Sequence, residues 1–202
     1  MASPSPDLVL ASQSRIRSQI LTDAGVPHRV EPAKIDESSI KTALMVEKAP
    51  ARDIADTLAD MKARKISARH PGSLVLGADQ ILVYKDRIYD KPDSLEDARA
   101  HLVALRGHTH HLLSAAVIYL NAEPLFRHIG TARLTMRPVS DAFLDHYISH
   151  VGDDLLTTVG AYQLEGMGSQ LFSRVDGDYF SVLGLPLLEV LGFLRARGML
   201  IE

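Results

Sequence analysis

The stretch Leu74-Val75-Leu76-Gly77-Ala78-Asp79-Gln80 restricts the fold of this chain more than any other. Three consecutive aliphatic residues suit a strand buried on both faces, and the glycine after them permits another backbone to approach closely. The run then stops at a carboxylate. It predicts a strand whose last residue, Asp79, presents an acid at the edge of a sheet. An aspartate in that place is commonly a plain turn residue, so its meaning depends on what the rest of the chain brings to it.

The chain has 202 residues, enough for one substantial core, and we expect a single domain over residues 1–202 with two lobes around a cleft. With 46% hydrophobic and 23% charged residues it is composed like an ordinary globular protein and unlike a disordered or membrane one. No apolar run approaches the roughly 18 residues that span a bilayer. Met1 to Pro6 lack the basic and apolar regions of a signal peptide, so a cytoplasmic location without membrane association is expected. The absence of cysteine excludes disulfides, thiolate metal sites and cysteine nucleophiles. The net charge of −3 argues against nucleic acid as a partner, since phosphate-backbone binding needs a basic surface. A small anion held in a local basic pocket remains compatible with that charge.

Asp7 to Ser12 reads as a central strand, followed by a Ser-rich turn and a helix carrying Ile16, Ile20, Leu21 and Ala24 on one face, with Gly25 and Pro27 at its end. The helix N-terminus, the Ser12 and Ser14 hydroxyls and the Arg17 guanidinium can together hold phosphate oxygens. Equally, Ser14 can be a simple cap and Arg17 a solvated charge. His28 to Pro32 suits a short strand that Asp36-Glu37-Ser38 closes as a polar stop. Asp53 to Ile66 has helical spacing, and Lys62, one turn after Leu58, lies beside its apolar stripe. Ile81 to Tyr89 predicts a hairpin turning at Lys85-Asp86, closed by Lys91-Pro92. A capped helix from Ser94, two long strands joined around Asn121-Ala122-Glu123, and a helix over Ser140 to Val151 follow. Next come a Gly-rich loop over Gly160 to Gly168, a strand over Leu171 to Val175, and a last helix that Gly184-Leu185-Pro186-Leu187-Leu188 starts, with Pro in its first turn, running to about Arg197. His108, His110 and His111 have no carboxylate or cysteine nearby in sequence and are not read as a metal site.

Laid out in order, these pieces resemble the Maf family of nucleoside triphosphate pyrophosphatases from Leu8 almost to the C-terminus. The matching words are Leu10-Ala11-Ser12-Gln13-Ser14 with Arg17, Asp36-Glu37, Lys62-Ala63, Gly77-Ala78-Asp79-Gln80, Lys91-Pro92, Gly107-His108-Thr109-His110, Gly160-Ala161-Tyr162, Glu165-Gly166 and Val182-Leu183-Gly184-Leu185-Pro186-Leu187. The resemblance implies an α/β fold similar to that of inosine triphosphate pyrophosphatases, with an elongated mixed sheet flanked by helices and a cleft between two lobes. It implies hydrolysis of a nucleoside triphosphate to the monophosphate and pyrophosphate with a divalent cation, Mg²⁺ or Mn²⁺, and it admits a homodimer. Asp79 and Glu37 would serve catalysis and hold the metal, with Asp79 either a proton acceptor or a ligand. Ser12, Ser14, Arg17, Lys62 and Lys91 would bind the triphosphate.

Specificity would rest on Ile16, Gln80 and Glu165. The branch of the family acting on dTTP and UTP typically has Arg, Thr and Gln at those positions, and the branch acting on 7-methyl-GTP has Trp, Gln and Glu. The resemblance is therefore closer to the 7-methyl-GTP branch, although Ile16 lacks the aromatic face of the tryptophan. A dTTP/UTP pyrophosphatase is one alternative, and a non-catalytic nucleotide-binding regulator of septum formation is the other.

Overall fold

The computed structural model describes residues 7–201, so the N-terminal hexapeptide read above for a signal sequence lies outside the described residues. It is an α/β structure built on one mixed seven-stranded sheet flanked by helices. In chain order the strands are β1 (Leu8–Leu10), β2 (Arg29–Val30), β3 (Leu74–Tyr84), β4 (Arg87–Tyr89), β5 (Thr109–Leu120), β6 (Glu123–Met136) and β7 (Phe172–Asp176). The helices are α1 (Arg15–Asp23), α2 (Glu37–Val46), α3 (Ala51–Ser67), α4 (Leu95–Leu105), α5 (Asp141–Val151), α6 (Tyr179–Val182) and α7 (Leu187–Ala196). Strand order is β2-β1-β3-β5-β6-β7, with β4 paired to β3 outside that path. The β1–β2 and β1–β3 pairs are parallel and the others antiparallel. Two hairpins turn without glycine, at Lys85-Asp86 and Asn121-Ala122, where both residues of each pair take positive φ as type I′ turns require.

β3 is the element that shapes the site. Along one of its edges β1 pairs only as far as Leu76, and β4 begins pairing only at Leu82. Between those points the sheet is split on that side, while β5 continues unbroken along the other edge. Asp79 is therefore not the last residue of its strand, as the apolar run suggested. It sits in mid-strand at the opening, because β5 carries the ladder on through Val83. The acid still faces a sheet edge, and it stands on a strand held from both ends.

The two faces of β3 bury different partners, as the period-two alternation of a strand requires. Val75 and Ile81 pack with Ile54, Leu58, Ala59, Ala63 and Ile66 of α3. Leu74, Leu76 and Ala78 pack with α1 and α7, whereas Leu82 joins a third core with α4, α5 and β7. Gly77 faces α3 so closely that an added Cβ would collide with the Ala59 carbonyl and lie 2.7 Å from Ala63 N. Only glycine lets the helix backbone settle there, and that contact brings Lys62 over the residue two further along the same face.

Candidate active site

All the residues singled out from sequence, Ser12, Ser14, Ile16, Arg17, Glu37, Lys62, Asp79, Gln80, Lys91 and Glu165, line one cleft of about 500 Å³ at the split. Lys62, buried on α3, donates to Asp79 Oδ1 at 2.7 Å and reaches Glu37 Oε1 at 2.9 Å. Glu37 opens α2, where Asp36 is the N-cap and accepts from Ser39 N. One ammonium thus serves two carboxylates, leaving the group with a net negative charge. Asp79 Oδ2 has no hydrogen-bond partner among the described residues.

Arg17 is buried behind this group. Its Nε donates to the Gly184 carbonyl at 2.7 Å, and Nη1 donates to Ala78 O at 2.9 Å and Ser12 Oγ at 3.1 Å. Gly184 can accept from so near because its φ of +99° turns the chain there, and a side chain would crowd the guanidinium. Arg17 is therefore not solvated. It stitches the loop after β1, the open edge of β3 and the turn before α7 together, and its Nη2 has no partner among the described residues. Burial lowers its pKa, while Asp79 and Glu37 act to raise it. Lys91, on the loop after β4, has neither ion pair nor hydrogen bond among the described residues. The residue as a whole is exposed, yet protein crowds its ammonium. That desolvation, with the Arg17 and Lys62 charges, holds its pKa below the ordinary lysine value. An unpaired ammonium beside a second cation is an arrangement that an anion relieves.

Gln80 points the other way from Asp79. Its Nε2 donates to Val182 O at 2.9 Å, Ser114 Oγ at 3.0 Å and Ser181 O at 3.1 Å, fixing β3 to α6. Ile16 and Glu165 form the far wall, Ile16 from α1 and Glu165 from the loop before β7. Ser14 caps α1 through Arg17 N, and Ser12 Oγ accepts from Ser14 N at 3.3 Å.

Sequence reasoning missed four contributors. Lys41, one turn after Glu37 on α2, forms an ion pair with Asp90, the residue before Lys91, and both line the cleft. Recognising 37–46 as helix would have placed Lys41 beside Glu37. Tyr162 also lines the cleft, and its hydroxyl is 2.7 Å from His110 Nε2, joining two of the motif words by a buried bond. Gly184 supplies the Arg17 acceptor, a link that no local pattern encodes.

Among the described residues no group of three or more His, Asp or Glu side chains is placed to hold a metal. Glu37 and Asp79, drawn together by Lys62, fit a cation of the Mg²⁺ class, which takes one or two carboxylates and completes its shell with substrate phosphates and water. No described helix is long and apolar enough to cross a membrane.

The split α/β sheet turns two carboxylates, a buried guanidinium and an unpaired ammonium into one cleft, an arrangement whose chemistry suits a small polyanion. Residues 7–197 match the family described as Maf-like protein, and the chain belongs to that family. It is 53% identical over 193 residues to a protein of Ruegeria pomeroyi, covering 96% of this chain and 97% of that one. To a Roseobacter denitrificans protein it is 54% identical over 195 residues, covering 96% and 98%. To one of Caulobacter vibrioides it is 50% identical over 193 residues, covering 96% of each. All three are named nucleoside triphosphate pyrophosphatase.

Proposed function

We infer that this chain is a hydrolase of acid anhydrides that converts a nucleoside triphosphate to its monophosphate and pyrophosphate, with 7-methyl-GTP as the substrate that suits its base side. The names of its relatives support the reaction. The observation that carries it here is the Glu37–Lys62–Asp79 group, facing Arg17 and the unpaired Lys91 in one cleft. Attack of water at the α-phosphorus needs positive charge along the phosphates and an oriented nucleophile. Arg17 Nη2, Lys62 and Lys91 supply the first, with the Ser12 and Ser14 hydroxyls beside them. Asp79 supplies the second: Lys62 holds Oδ1 and leaves Oδ2 for the water. Glu37 would hold a Mg²⁺ or Mn²⁺ ion, whose chemistry is to neutralise charge on the phosphates, and Asp79 would join it as a ligand only in place of its role as proton acceptor.

The Glu165 carboxylate accepts hydrogen bonds from the N1–H and exocyclic amine of a guanine, whereas on uracil or thymine it would meet a carbonyl lone pair. Pyrophosphate release with Mg²⁺ or Mn²⁺, measured across 7-methyl-GTP, GTP, dTTP, UTP, CTP and ATP, tests both halves of the proposal. The expected result is turnover led by 7-methyl-GTP, with Glu165→Gln shifting the ratio toward dTTP and UTP. A lead for dTTP or UTP in the unmodified chain would overturn the base assignment and keep the reaction. No release from any nucleotide would overturn the reaction and favour a nucleotide-binding regulator.

A further inference from the structure

A second pocket of about 320 Å³ adjoins the cleft and shares Ile16, Glu165 and Leu183 with it as walls. Its size is at the small end of ligand sites, adequate for one bicyclic base. Two features set it apart from the phosphate side. The side chains lining it include two carboxylates, Asp23 and Glu165, and no lysine or arginine. It also contains Tyr179, the first residue of α6, which is 48% exposed although large aromatic rings are ordinarily well buried. The ring is nevertheless held: it packs edge to face on Phe180, with centroids 5.7 Å apart and planes at 70°. Asp178 caps the short helix beneath it by accepting from Phe180 N and Ser181 N.

An aromatic ring braced on Phe180, in a pocket with acidic and no basic lining, favours a flat, positively charged ring system. An N7-alkylated guanine is such a ring, since alkylation at N7 places a positive charge on the base. On the reading proposed above, we propose that Tyr179 is the stacking partner of the cationic base and takes over the aromatic face that Ile16 does not provide. The base then lies between Tyr179 and the Ile16 side of α1, with Glu165 at its hydrogen-bonding edge and the phosphates running toward Arg17, one residue beyond Ile16.

Two measurements on the full chain test this. Steady-state pyrophosphate release gives KM and kcat for 7-methyl-GTP and GTP, and titration calorimetry gives the affinity for 7-methyl-GMP and GMP without turnover. Tyr179→Leu is expected to raise KM for 7-methyl-GTP about fivefold, within the range of one exposed cation–π contact, while KM for GTP moves less than twofold. Tyr179→Phe should keep the wild-type ratio, because the ring face is retained. An equal change for both nucleotides, or no change in the ratio, would overturn the stacking role. Should the wild-type chain hydrolyse neither nucleotide, the proposed guanine-type substrate falls by itself, whatever dTTP or UTP show. Calorimetry then decides the base pocket: a selective loss of 7-methyl-GMP binding in Tyr179→Leu sustains it, and unchanged binding removes it.

Discussion

Asp79 and Gln80 are neighbours in sequence and face opposite environments. On the Asp79 side, two carboxylates share one ammonium, and a buried guanidinium and an unpaired lysine stand by. On the Gln80 side, the amide nitrogen is bound to two carbonyls and a hydroxyl, Ser114 Oγ donates onward to Ser181 O at 2.7 Å, and two residues further along lies Leu82 of an apolar core. Desolvated charges without full partners cost stability, while a satisfied neutral network contributes to it. On the proposed function the contrast separates work from support: the Asp79 face would take the anion, and the Gln80 face would hold the strand still. Arg17 bridges them, since it bonds to the open edge of β3 and to the turn that follows the Gln80 acceptors.

The strongest way to break this contrast is Asp79→Asn. It removes the carboxylate and leaves Lys62 paired with Glu37, a neutral pair in place of a group with excess negative charge. Folding should therefore persist, with a thermal midpoint close to that of the parent, while pyrophosphate release falls about 10²- to 10⁴-fold, the scale of a lost general base. A variant within tenfold of the parent would mean that the reacting face has been misplaced.

Next comes Gly77→Ala, which acts on the same face through the backbone. The new Cβ has no flexible neighbour to displace, so α3 must back away from β3 and carry Lys62 with it. We expect a loss of about 3 kcal/mol in urea unfolding, at the upper end of overpacking effects, together with a fall in kcat. The 7-methyl-GTP to GTP ratio should stay constant, because the Gln80 face is untouched. A change in that ratio of the same size as the change in kcat would show the two faces to be coupled.

These effects also mark what the sequence could disclose. Helices with an apolar stripe, such as α3 and α7, and both hairpins were readable, because burial and turn chemistry are written locally. Helix α2 was not given bounds as a helix, although Asp36 caps it and Ile40 and Leu44, one turn apart, pack against the α3 core: its stripe is only two residues long, and Met45 and Val46 beyond it are 50% and 78% exposed. The short α6 owes its existence to the Asp178 cap, with too few residues for a period. Asp79 was recognised as a carboxylate near an edge, yet its position in mid-strand depends on where β1 and β4 stop pairing. Such long-range register leaves no trace in a local pattern. For the same reason Arg17 and Lys62 were legible as cations near the site, whereas the Gly184 carbonyl and the shared carboxylates were not.

The smallest expected effect belongs to the neutral face, and its sign is opposite to that of a salt-bridged histidine. His110 lies on β5 four residues before Ser114 and on the same side of the sheet, fully buried, with Nε2 on the Tyr162 hydroxyl. Burial first, and the neighbouring His111 second, push its pKa down to about 4 from 6.5. Between those values the unfolded chain binds a proton that the folded chain refuses. The stabilising contribution is thus complete above about pH 6.5 and declines as pH falls toward 4, by about 2 kcal/mol between pH 7 and 4.5. Urea unfolding at the two pH values should show that loss in the parent and a flatter dependence in His110→Gln, whose side chain does not titrate. Equal slopes would mean that acid sensitivity arises on the charged face instead, and the division of labour between the two sides of β3 would have to be redrawn.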